Sequence, residues 1–210
     1  MSSPAKELAA RLSAGETPDD EAFDQLLPTL QRAHSRQYWT PVAVACRVAE
    51  WLVEQRCRRL LDIGSGAGKL CGIVALKTEL SVVGLEHRAD LIDCSRSLAE
   101  SLGVAARATF IHAALGEVAL PAVDAYFLYN PFGENLLGND GQIDQSVDFS
   151  EARFRQDVRL VQGLLRRAPQ GTCLITYNGF GGVIPPGYVD QRVERHGLND
   201  LVLWRRDGPA

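Results

Sequence analysis

The chain has 210 residues, 46% of them hydrophobic and 23% charged, with a formal net charge of -4 at pH 7. That length supports one sizeable core and is short for two, and the acidic balance argues against a broad nucleic-acid-binding face. No apolar run approaches the roughly 20 residues that a bilayer-spanning helix needs, and the first residues lack the apolar stretch of a secretory signal.

In chain order, Pro4 to Ala14 and Asp19 to His34 read as helices, punctuated by Gly15 and by Thr17-Pro18-Asp19-Asp20. They define an expected helical extension over residues 1–36, ahead of a domain over residues 37–210. Thr40 reads as the N-cap of a helix opened by Pro41, with Val42, Ala45, Cys46, Val48, Ala49, Leu52 and Val53 at helical spacing. Strands are expected at Arg59 to Asp62, Ser81 to Glu86, Ala108 to His112, Asp124 to Tyr129 and Thr172 to Tyr177. Helices are expected after Gly68, over Ala89 to Leu102, and between Phe149 and Arg167. This alternation predicts a Rossmann-like α/β fold: a doubly wound, mostly parallel sheet with helices on both faces. Tyr188 to Arg195 and Leu201 to Arg206, around His196 to Asp200, read as a C-terminal antiparallel hairpin. Arg153, Arg155, Arg159, Arg166 and Arg167 form either a local basic patch or, being spread round the last helix, mostly solvated side chains, the second being the preferred reading.

Cys46, Cys57, Cys71, Cys94 and Cys173 form no C-x-x-C pair. A scattered, odd set suits reduced thiols in a cytoplasmic protein and gives no disulfide frame or metal site. His34, His112 and His196 have no partner at a ligand or catalytic spacing and are assigned no role.

The most informative stretch is Leu60-Leu61-Asp62-Ile63-Gly64-Ser65-Gly66-Ala67-Gly68. An apolar strand closed by an acid runs into glycine at every second position, a turn through which backbone can lie against a ligand. A phosphate-binding P-loop needs glycine where Ile63 stands and a hydroxyl where Leu70 stands. The dinucleotide fingerprint needs glycine at Lys69. What remains is Asp62-x-Gly64-x-Gly66-x-Gly68, with Glu86 ending the next strand.

This pattern resembles motif I and the following acid of the class I S-adenosylmethionine-dependent methyltransferases, and the order of elements is similar to theirs from about Tyr38 to Asn178. The terminal antiparallel hairpin is a further point of likeness. The resemblance implies S-adenosyl-L-methionine as cofactor, held by Asp62, Gly64, Ser65, Gly66 and Gly68, with Glu86 on the ribose hydroxyls and His87 against the adenine. Many relatives place an Asp on the adenine amino group where this chain has Ala114, so backbone polar groups there and apolar contact from Leu115 are expected instead. Asn130-Pro131-Phe132 occupies the loop that carries N-P-P-[YF] in some relatives, without the second proline. Asn130 is then both a cofactor neighbour and the acceptor of a hydrogen bond from the attacking group, Pro131 turns a carbonyl inward, and Phe132 lies against the substrate or methyl group. Read without the resemblance, Asn-Pro-Phe-Gly is a turn after a strand.

Tyr38 and Trp39 are substrate-side candidates, because a similar Y-x-T-P segment closes over the pocket in some relatives; equally, Trp39 can staple a helix start. Asp62 either holds the turn by accepting backbone N–H bonds or reaches the cofactor. Lys69 reads as a solvated helix start, and Gly179 to Gly187 borders the substrate or merely connects. Two functions follow. One is a methyltransferase acting on a nitrogen or oxygen nucleophile of a protein side chain or small molecule. The other is an inactive cofactor-binding module with the same fold, with a nicotinamide-dependent enzyme a distant third.

Overall fold

A computed structural model of the chain describes residues 3–137, 143–144, 147 and 149–208. Its centre is one seven-stranded sheet in the order β3-β2-β1-β4-β5-β7-β6. The strands are β1 (Arg59–Ile63), β2 (Ser81–Glu86), β3 (Ala108–His112), β4 (Ala125–Tyr129), β5 (Cys173–Tyr177), β6 (Tyr188–His196) and β7 (Asn199–Arg206). The first five pair in parallel, while β7 runs antiparallel to both β5 and β6. The expected doubly wound sheet with its terminal hairpin is therefore the fold.

Strand alternation sets the two layers. Leu60, Val82, Phe127 and Ile175 point into one core, shared with α5 (Val42–Glu54), α6 (Lys69–Lys77) and α7 (Ala89–Ser101). Leu61, Ile63, Leu128 and Leu174 point into the other, packed by Val161 and Leu165 of α8 (Glu151–Arg167). Strands buried on both faces read as continuous apolar runs, and β1 and β4 do so for this reason.

The N-terminal segment departs from expectation in two places. The helix expected over Asp19 to His34 is α2 (Asp20–Asp24) and α3 (Thr29–Ala33), followed by α4 (Ser35–Tyr38); α1 spans Pro4–Ser13. Pro28 stands at the break, where it disfavours the helical conformation for Leu27 before it. Thr40 does not cap α5: the N-cap is Pro41, and the Val42 N–H donates to Asp20 Oδ1 at 2.8 Å. Leu8, Leu12, Phe23 and Leu27 join the core of α5 and α6.

Because β2 and β3 lie on one side of β1 and β4 and β5 on the other, strand order reverses at β1, and ligands of open α/β sheets bind beyond the carboxyl ends at such a switch. The loops after β1, β2 and β4 meet there.

Candidate active site

A crevice of ≈ 710 Å³ opens at that edge. Its floor is the loop after β1. Gly64 and Gly66 hold φ of 78° and 53°, a region costly for residues with a Cβ, and the Gly64 and Ser65 N–H groups both donate to the Leu85 carbonyl, at 2.9 and 3.0 Å. Close approach adds to the conformational need. A Cβ on Gly64 would stand 2.7 Å from Pro131 Cβ, and one on Gly66 would stand 2.5 Å from Trp39 Cζ3. The β4 loop thus abuts the first glycine and the Trp39 indole covers the second.

Glu86 ties the wall together. Its carboxylate is 6% exposed and accepts three backbone N–H bonds, Gly66 on Oε2 at 3.0 Å and His87 and Arg88 on Oε1 at 2.8 and 2.9 Å. A carboxylate has about four lone-pair sites, so Oε2 retains capacity for a further donor from the crevice.

Asn130 stands at φ 37° with its N–H on the Gly179 carbonyl at 2.9 Å, which links the β4 and β5 loops. Its side-chain amide lies against Gly133 and has no hydrogen-bond partner among the described residues. His87 Nε2 is buried and unpartnered among them. A buried orphaned nitrogen and a half-buried amide on the crevice lining are groups that a bound polar ligand would satisfy. The residues present fit a nucleoside-bearing cofactor.

The structure brings Tyr38, Trp39, Gly64, Gly66, Glu86, His87, Ala114, Leu115, Asn130, Pro131 and Phe132 together on this crevice, and leaves Asp62, Ser65 and Gly68 off its lining. Asp62 accepts from Cys71 Sγ at 3.4 Å, and burial raises its carboxyl to about 7, opposed by that hydrogen bond and reinforced by the charge of Glu86. It therefore neither holds the turn through backbone N–H groups nor lines the crevice. Ser65 faces a separate space of ≈ 20 Å³ beneath the loop. Gly68 serves packing, since a Cβ there would stand 2.7 Å from Ser95 Cβ of α7.

Lys69 departs from expectation, and the Ala114 turn holds less free backbone than expected. Lys69 is 2% exposed, its Nζ donating to Asp20 Oδ1 at 2.6 Å, Asp24 Oδ1 at 2.8 Å and Ser35 Oγ at 3.3 Å. The Ala114 N–H is occupied, donating to Glu117 Oε2 at 2.8 Å, while its carbonyl accepts the Glu117 N–H at 3.1 Å and keeps a second lone pair.

The sequence reading missed several lining residues. Arg88 pairs with Glu134 at 3.0 Å and Asp144 at 3.3 Å and lies 5.4 Å from the Phe149 ring centroid. Asp157 of α8, 5% exposed, accepts from Arg153 Nε at 3.1 and 3.0 Å. Arg153, its side chain 37% exposed, thus also lines the wall.

A doubly wound sheet in this strand order, with an antiparallel terminal pair and an acid-and-glycine crevice at its switch point, defines a Rossmann-like methyltransferase fold. The family model described as "Methyltransferase domain" matches residues 39–165. The chain belongs to this family and is an S-adenosylmethionine-dependent methyltransferase. Its fold is similar to an RNA methyltransferase from Salinibacter ruber in complex with S-adenosyl-L-homocysteine, at TM-score 0.60 and 20% identity over 81% of this chain and 95% of that one. A putative O-methyltransferase from Klebsiella pneumoniae gives TM-score 0.62 at 16% identity, covering 97% of each chain. A putative RNA methyltransferase from Pyrococcus horikoshii gives 0.57 at 14%, covering 99% of this chain and 98% of that one. At such identities the likeness is one of fold. No curated protein sequence matches the chain.

Proposed function

We propose that the crevice binds S-adenosyl-L-methionine against Gly64 and Gly66, with the ribose on Glu86 and the adenine beside His87, Ala114 and Leu115, and that the loop Asn130-Pro131-Phe132 presents a nitrogen or oxygen nucleophile to it. The observation that carries this reading is Asn130, half-buried on the crevice lining and set at φ 37° between two strand ends, with the neighbouring Pro131 packed on Gly64. When bound, the cofactor supplies a methyl group on a positively charged sulfur, which a nucleophile's lone pair can take.

The chain's own task is then alignment, where positioning supplies about 7 to 11 kcal/mol. Asn130 Oδ1 accepts an N–H or O–H of the acceptor and so turns its lone pair toward the cofactor. Pro131 on Gly64 fixes the distance between the acceptor loop and the cofactor floor. Tyr38, Trp39 and Phe132 exclude water from the acceptor side. Both arginines on the wall, Arg88 and Arg153, are already paired with carboxylates, which favours an acceptor without phosphate: a protein side chain or a small molecule rather than a nucleic acid.

Residues 1–36 act in this reading as an extension that backs the pocket, through Lys69 and through Trp39 Nε1 on the Gln31 carbonyl at 2.7 Å. No helix among the described residues is long and apolar enough to cross a membrane, and five free buried cysteines support a reducing, cytoplasmic setting.

Calorimetry with S-adenosylmethionine, S-adenosylhomocysteine and NAD tests the cofactor, and binding of NAD alone would overturn the assignment. A radiolabelled methyl donor incubated with cell extract should mark an acceptor. Asn130→Ala should abolish the mark; undiminished labelling would remove Asn130 from the reaction.

A further inference from the structure

The adenine end of the crevice presents a chemical problem. Exocyclic amino groups need an acceptor, and at Ala114 the turn after β3 offers a carbonyl that already accepts the Glu117 N–H and a Glu117 carboxylate that already accepts the Ala114 N–H. A carboxylate reaches the same turn from the opposite layer. In α8, Leu160 packs on this turn: a Cβ on Gly116 would stand 3.0 Å from Leu160 Cδ1. Asp157 lies three residues earlier, on the same helix face, and its side chain lines the crevice.

Asp157 is held for a ligand rather than for solvent. It is 5% exposed, and its two oxygens share the single Nε–H of Arg153 at 3.1 and 3.0 Å. Each oxygen therefore keeps lone-pair capacity. His87 lines the same crevice as Asp157, and its Nε2 is buried with no partner among the described residues. One acceptor and one orphaned ring nitrogen thus share the pocket end where the turn after β3 closes it.

We infer that Asp157 accepts the 6-amino group of the cofactor's adenine from α8, the Glu117 carboxylate on the β3 turn being engaged by the Ala114 N–H, with His87 Nε2 free to meet a ring nitrogen. The inference rests on the proposed cofactor reading. It makes Asp157 the residue that selects adenine over purines without an amino group, a role read from packing and not from its sequence position.

The test needs no methyl acceptor. Binding of S-adenosylhomocysteine is measured by calorimetry beside its purine-riboside analogue, in which hydrogen replaces the 6-amino group. Wild-type protein should prefer the amino form by about 10- to 100-fold, the range of a hydrogen bond to a charged group. Asp157→Ala should bind the two forms nearly equally. Asp157→Asn, closer in shape and a safeguard if the alanine variant does not fold, should also lose the preference. Arg153 Nε–H would claim its amide oxygen and turn the NH₂ group toward the adenine amino group. Retention of the wild-type preference in a folded Asp157 variant, or its absence from the wild type, overturns the inference. Failure of wild-type protein to bind either form would instead strike the cofactor reading beneath it.

Discussion

Lys69→Met removes the one cation of a buried cluster and should unfold the junction behind the glycine loop. Asp24 and Ser35 are buried, whereas the Asp20 side chain is 47% exposed. The loss is therefore carried by Asp24, left as an uncompensated carboxylate, and one-sided removal from a buried pair costs about 3 to 5 kcal/mol. The Asp20 contact adds little, because water already screens it. Urea unfolding monitored by tryptophan fluorescence should report that loss, out of a total of about 5 to 15 kcal/mol for a domain of ordinary stability. The double variant Lys69→Met with Asp24→Leu should regain most of it, since replacing both members with apolar groups is nearly neutral. S-adenosylhomocysteine affinity should fall in the single variant, because α2 and α4 lose their hold and Trp39 its seat over Gly66. A loss below about 1 kcal/mol, or strictly additive single variants, would refute the buried-pair account.

The sheet was legible because its central strands are mostly apolar and end in punctuation; β2 and β3 fall where the spacing predicts them, and the others end within two residues of it. The break at Pro28 was also written in the chain, inside a helix the periodicity alone would have continued. The site was legible only where chemistry is local. Glycine alternation, Glu86 and Asn130 lie beside strand ends, and sequence alone places them there. Lys69 was misread because its partners Asp20 and Asp24 stand 49 and 45 residues earlier, and no local pattern distinguishes a buried lysine from a solvated helix start. Asp157 left a signal: it stands at i−4 and i−8 from Val161 and Leu165, the buried stripe of α8. Its spacing to Arg153 reads equally as a surface pair, and only packing decides between them.

Gly66→Ala should lower the unfolding midpoint and weaken S-adenosylhomocysteine binding, because it adds left-handed strain of about 1 to 2 kcal/mol and forces the Trp39 indole away. Gly103→Ala, at φ 73° with nothing within 4 Å, carries the strain alone, and equal losses in the two variants would refute the indole contact. Asn130→Gly removes the amide while relieving the φ of 37°; labelled methyl transfer should disappear while thermal stability holds or rises, and retained transfer would count against the proposed role. The pH dependence of stability should carry the signature of Asp62, whose folded carboxyl is held at about 7 against an ordinary 3.8. The unfolded chain gives up this proton first, so the stabilising contribution is complete below pH about 4 and is lost as pH rises toward 7, by at most about 4 kcal/mol at 1.4 kcal/mol per unit. Asp62→Asn has no proton to lose there, so the stability of wild type minus variant should fall across that window and level off above it. A difference that stays flat from pH 4 to 8 would mean that Asp62 is ionised in the fold and that its surroundings are more polar than its burial implies.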